Sequence, residues 1–96
     1  MRFAARTDRN QPEIVAALRK AGATVQSLAA VGDGVPDLLC GIAGRTVLLE
    51  LKDGARPASE RQLTTDQIKW HVDWRGGPCM VVNNIDEALA ALGLLK

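Results

Sequence analysis

Asp37, Glu50 and Lys52 are the residues of this 96-residue chain whose types and spacing could do chemistry. Glu50 and Lys52 stand two apart in the run Thr46-Val47-Leu48-Leu49-Glu50-Leu51-Lys52, which reads as a strand. Period two points both to one face. Asp37 follows Gly34-Val35-Pro36 at the start of an earlier strand. Ala43-Gly44-Arg45 between them reads as a tight, three-residue hairpin connection. It makes the two strands antiparallel neighbours and brings Asp37 and Glu50 to the same end of the pair. Two carboxylates and an ammonium then meet beside Val47-Leu48-Leu49, a run apolar enough for burial on both faces.

Charges in such a place are costly unless paired or bound to a cation. Two neighbouring carboxylates repel, and a divalent metal removes that conflict. Hard oxygen ligands suit Mg²⁺, which uses one or two protein carboxylates and keeps its waters or takes phosphate oxygens. A water on such an ion is a nucleophile for phosphorus. Lys52 is placed to orient that water, lower its pKa or neutralise charge developing on phosphorus. The competing reading is an ordinary carboxylate–lysine pair at a strand end. E-x-K alone favours it; Pro-Asp at hairpin distance tips the balance toward a site.

The surrounding elements follow from capping and periodicity. Residues 1–9, with three Arg and one Asp, form a polar lead-in. Asn10 is a candidate N-cap with Glu13 as its capping-box partner, and Pro12 suits a first helical turn. Ile14, Val15, Ala17, Leu18 and Ala21 make an apolar helical face. Arg19 and Lys20 complement the end of that helix, and Gly22 closes it. Residues 24–31 predict a strand, Gly32-Asp33-Gly34 a turn, and residues 35–42 and 46–52 two further strands. Residues 53–62 read as a polar loop. Thr64 with Gln67 caps a second helix to about Trp74, stopped by Arg75-Gly76-Gly77-Pro78. Residues 79–82 are a fourth strand, and Asn84 with Glu87 opens a last helix through about Leu92. The order is α-β-β-β-α-β-α, in one domain.

Composition narrows the class. Apolar residues make up 47% and charged residues 24%, so the chain is globular, not disordered. A net charge of +1 does not mark a strongly basic nucleic-acid binder, although a local patch is compatible with it. Cys40 and Cys79 sit in apolar runs, lack zinc-site spacing and read as buried thiols of a reducing compartment. No apolar run is long enough to span a bilayer, and Met1-Arg2-Phe3-Ala4-Ala5-Arg6 does not resemble a signal peptide. The expectation is a soluble cytoplasmic protein without membrane contact. A core this small favours oligomerisation.

Gly34-Val35-Pro36-Asp37-Leu38-Leu39, Leu49-Glu50-Leu51-Lys52 and Leu63-Thr64-Thr65-Asp66-Gln67-Ile68-Lys69-Trp70 together resemble the VRR-NUC family, a branch of the PD-(D/E)XK nuclease superfamily. The resemblance covers about residues 10–92. It implies a restriction-endonuclease-like α/β core, a mixed four-stranded sheet flanked by helices. It also implies a Mg²⁺- or Mn²⁺-dependent DNA endonuclease. By that resemblance Asp37 and Glu50 bind metal with the backbone carbonyl of Leu51, Lys52 assists the attacking water, and Gln67 belongs to the edge of the active site. Stand-alone family members from phages and bacteria are dimers that cut branched DNA, including Holliday junctions. This chain resembles that type, which implies a homodimer in a bacterial or phage-infected cell.

Other residues carry two readings each. Related nucleases often add a first-helix glutamate to the metal site, which would be Glu13; its place on the flank of the helix also fits a cap alone. Leu63, Gln67, Trp70 and Trp74 share one face of the second helix, with Ile68 and Val72 nearly opposite. Two stripes ask for two partners, the sheet and a second subunit. His71 between them reads as a surface or interface histidine. Arg56 and Arg61 follow Lys52 and are placed to meet phosphates, or are solvated loop charges diluted by Asp53 and Glu60. The alternative function is a catalytically silent nuclease-fold module that binds DNA or a partner protein. A small RNA-binding domain is disfavoured by near-neutral charge and three aromatic residues.

Overall fold

The computed structural model describes residues 9–95. All of the expected lead-in except Arg9 lies outside the described residues. The elements are α1 (Gln11–Lys20), β1 (Thr24–Ser27), β2 (Leu38–Ile42), β3 (Arg45–Leu51), a 3-10 turn (Ala58–Glu60), α2 (Thr65–Asp73), β4 (Cys79–Val82) and α3 (Ile85–Ala91). The described residues are α/β: a mixed four-stranded sheet ordered β1-β2-β3-β4, with three helices. β1, β2 and β3 pair antiparallel, and β4 joins β3 in parallel. A parallel neighbour needs a crossover, and the segment carrying α2 supplies it.

The hairpin differs from expectation. Ile42 pairs with Arg45, so the connection is Ala43-Gly44 alone. Both residues have positive φ, 51° and 76°. That is the primed two-residue turn whose twist matches the flanking strands. Arg45 therefore begins β3. The register Leu38↔Leu49, continued by one residue, sets Asp37 directly opposite Glu50.

β1 and β2 are shorter than the apolar pattern suggested. Residues 28–37 leave the sheet and turn, with the Leu28 amide donating to the Asp37 carbonyl at 2.7 Å and Val31 N to Leu28 O at 2.9 Å. Gly32, Asp33 and Gly34 all have positive φ, and three such residues in succession cannot extend a strand. The expected loop after β3 also contains the Ala58–Glu60 turn.

The caps divide into those that form and those that do not. Thr64 and Gln67 make both halves of a capping box at α2. Gly22, at φ 106°, ends α1, and Ala23 N reaches back to Leu18 O at 3.0 Å, a Schellman closure. Asn84 Oδ1 accepts from Glu87 N at 2.8 Å, but the Glu87 carboxylate turns to the amide of Asn83. No capping box forms at Asn10 and Glu13. Asn10 lies in the helical backbone region, and its side chain makes no cap. It donates instead to Lys52 O at 3.2 Å and Asn83 O at 3.1 Å.

β3 is buried from Val47 to Leu51. Alternation sends Val47, Leu49 and Leu51 to one side, where they meet Leu38, Cys40, Ile14, Leu18, Ala88 and Leu92 in the core. Leu48 and Glu50 point to the other side. α1 and α3 pack together against the core side. Gln11 is buried there unexpectedly, its amide donating to Ser27 Oγ at 3.3 Å. α2 has no buried residue and reaches the opposite side through Gln67. Among the described residues no helix is long and apolar enough to cross a membrane.

Candidate active site

The carboxylate pair is a product of the β2–β3 register. Asp37 sits one residue before β2, and its Oδ2 accepts the amide hydrogen of Leu51 at 2.7 Å. This bond fixes the side chain against the Glu50-Leu51-Lys52 segment. Glu50 is 2% exposed, though its backbone lies between two core leucines. A charge so deep needs donors, and α2 brings one: Gln67 Nε2 donates to Glu50 Oε2 at 3.0 Å. Lys52 Nζ lies 4.0 Å from the same oxygen and donates to Gln67 Oε1 at 3.0 Å.

Gln67 is therefore the hub. Its Oε1 also accepts from Thr64 N at 2.9 Å, while Gln67 N donates to Thr64 Oγ1 at 3.2 Å. The capping box that starts α2 is the same group of atoms that orders Lys52 and Glu50. Sequence reading places Gln67 at the site edge. The Thr64–Gln67 capping box is read there too, from the Thr-x-x-Gln spacing; the hold of the same glutamine on Lys52 and Glu50 is not.

A recess of about 210 Å³ opens between the Gly32–Gly34 turn and the start of α2. Asp37, Gln67, Thr64 and Asp66 line it. Glu50 and Lys52 are not among its lining residues and connect to it through Gln67. Gly34 is pressed onto α2: a Cβ there would collide with the Asp66 carbonyl and lie 2.9 Å from Gln67 N.

The remaining candidates lie elsewhere. Glu13 lines a separate hollow with Arg9, Asn10, Asp53 and Asn84. Among the described residues no group of three or more His, Cys, Asp or Glu is arranged to hold a metal, so the structure does not unite Glu13 with Asp37 and Glu50. Arg56 pairs with Glu60 at 2.9 Å. Arg61 Nε donates to Arg56 O at 2.9 Å, so the loop presents both arginines on one small, exposed fold. Leu51 enters through its amide on Asp37.

His71 and Cys79 adjoin the trio. The thiol lies 3.7 and 3.8 Å from the two ring nitrogens. Burial, then the Glu50 charge, push the Cys79 thiol up. Burial alone raises Cys40 to about 11. Neither thiol is poised as a nucleophile. Desolvation first, then the Lys52 ammonium, hold His71 below its ordinary 6.5. The unfolded chain binds this proton more readily than the folded one. Stability is thus full above about pH 6.5 and declines as pH falls toward the lowered folded value. His71→Gln is expected to remove that decline, read as urea midpoints at about pH 5 and about pH 8. An unchanged slope would show that the imidazole titrates as if in water.

The donor set suits a hard divalent cation. Asp37 and Glu50 are carboxylates that stand opposite when the β2–β3 register is continued one residue past Leu38↔Leu49, and such ions accept one or two carboxylates with carbonyls and waters. No family model, curated protein or solved structure matches this chain.

Proposed function

We propose that this chain is a divalent-metal-dependent DNA endonuclease of the VRR-NUC type, with a restriction-endonuclease-like core. The observation that carries the reading is the joining of Asp37, Glu50 and Lys52 through one hairpin register and one glutamine. Asp37 and Glu50, with help from the Leu51 carbonyl, would hold a Mg²⁺ or Mn²⁺ ion, which would supply Lewis acidity for phosphodiester hydrolysis. The chain's own residues do the rest. Asp37 is held in place by the Leu51 amide. Lys52, 13% exposed, brings a localised positive charge against the anion that forms on phosphorus. Gln67 sets the position of that ammonium and caps the helix that bounds the recess. By resemblance the substrate is branched DNA and the active form a homodimer, with one site for each strand of a junction. Arg56 and Arg61 are the candidate phosphate contacts.

One observation favours the silent-module reading: Glu50 is almost fully buried and lies outside the lining of the recess. Labelled four-way junction, flap and duplex DNA, incubated with Mg²⁺, Mn²⁺ or chelator, separate the two. Metal-dependent incision, strongest on branched DNA, is the expected result. DNA binding without incision in either metal would overturn the enzyme and leave the binding module. Sedimentation that finds only monomer at micromolar concentration would remove the paired-incision geometry.

A further inference from the structure

Asp66, Lys69, Trp70, Asp73 and Trp74 recur at the spacing of one helical face. On α2 and its C-cap they form one wall of a hollow of about 390 Å³, opposite Asp33 of the glycine turn. That volume is in the range of small-ligand pockets. The two indoles stack with centroids 4.9 Å apart and planes 17° from parallel. Trp74 is pinned: its indole N–H donates to Gly77 O at 2.7 Å, and Gly76 lies against its ring too closely for a Cβ. Yet Trp74 stays 39% exposed. A rigid, half-open aromatic stack that fills no core is a surface for another flat ring.

We propose that this hollow is a stacking pocket for an unpaired nucleobase, guanine by preference, from the DNA strand that enters the recess. The inference rests on the nuclease reading for the class of ligand. Position and chemistry support it. Asp66 lines both the hollow and the recess that holds Asp37, so the two lie on either side of one residue. Base–aromatic stacking tolerates any base and needs no groove. The carboxylates of Asp33 and Asp66 only accept hydrogen bonds, and they repel phosphate. They keep the backbone outside and select an edge with adjacent N–H donors. Guanine presents N1–H and the N2 amino group side by side; thymine presents one N–H between two acceptors. Lys69, tied to Asp73 at 2.9 Å, leaves that selection to Asp33 and Asp66.

The chain's only two tryptophans are both here, so their emission reports on this pocket. The test titrates the full chain, with chelator present, against single-stranded hexanucleotides of matched length that carry guanine or thymine at the centre. Saturable quenching, tighter for the guanine strand, is expected. Trp74→Leu, read through Trp70, should weaken binding by about 10- to 100-fold. Asp33→Asn, which suits the positive φ of that position, should shrink the guanine preference several-fold, with urea midpoints confirming that each variant is folded. Should Trp74→Leu fail to fold, Asp33→Asn alone decides. No saturable quenching, or equal quenching by both strands, overturns the pocket. So does quenching by an arginine-rich peptide with none by either strand. No metal or cleavage enters the titration. Quenching without incision elsewhere keeps the pocket and removes the nuclease; incision without quenching does the reverse.

Discussion

Asp37→Asn is expected to lower DNA cleavage by about 100- to 1,000-fold while the protein stays folded. The amide keeps an oxygen for the Leu51 N–H, which the carboxylate now accepts at 2.7 Å, so the hairpin end retains its bond. What is lost is the negative charge that would hold a cation beside Glu50. Lys52→Met should be as damaging to cleavage, with a second effect. It leaves Glu50, 2% exposed, without the ammonium 4.0 Å away. Glu50 keeps its Gln67 donor, so the loss of the ammonium costs about 1–3 kcal/mol. The two variants therefore separate chemistry from folding: Asp37→Asn is inactive and stable, and Lys52→Met is inactive and less stable. Initial rates on junction DNA and urea midpoints measure both. Wild-type rates in Asp37→Asn would reject the proposed metal site.

Gly34→Ala is expected to destabilise the fold by about 2–5 kcal/mol. Two costs add at this position. The backbone φ of 82° belongs to glycine, and the new methyl collides with the Asp66 carbonyl at the start of α2. The atoms that the methyl meets are helix backbone, not a movable side chain, so relief means moving the helix. Gln67 would move with it, away from Lys52 and Glu50. Gly32→Ala is the control: its φ is 75°, but nothing lies within 4 Å of the added carbon. It should cost only the conformational strain, about 1 kcal/mol. Chemical denaturation of the pair reads the difference. Equal losses would show that the contact with α2 yields without cost.

Much of the site is legible in the chain because its geometry is local. A strand alternates, a hairpin reverses, and Glu50, Lys52 and Asp37 follow. The detail that escaped is the turn: a loop of two residues, not three, shifts the pairing so that Asp37 faces Glu50 itself. Ala43 at positive φ gave no warning, since turn chemistry favours Asn, Asp or Gly there. The overlong β1 and β2 have another cause. Residues 28–31 and 35–37 are apolar enough for strands, but the glycine turn expected between them closes on α2, a partner distant in sequence. Asn10 failed as a cap for a similar reason. Capping needs an extended backbone at that residue, and two distant carbonyls compete for its amide. Gln67 was readable as a helix cap through its spacing; its hold on Lys52 required the tertiary fold.

The Asn10 side chain has a mechanical consequence. Its amide fastens the entrance of α1 to carbonyls 42 and 73 positions along the chain. The tip of β3, where Lys52 follows, and the approach to α3 are thereby sewn to the same stitch. Fraying at any one of the three ends breaks a bond that the other two share. The lysine borrows steadiness from a helix with which it shares no stretch of chain.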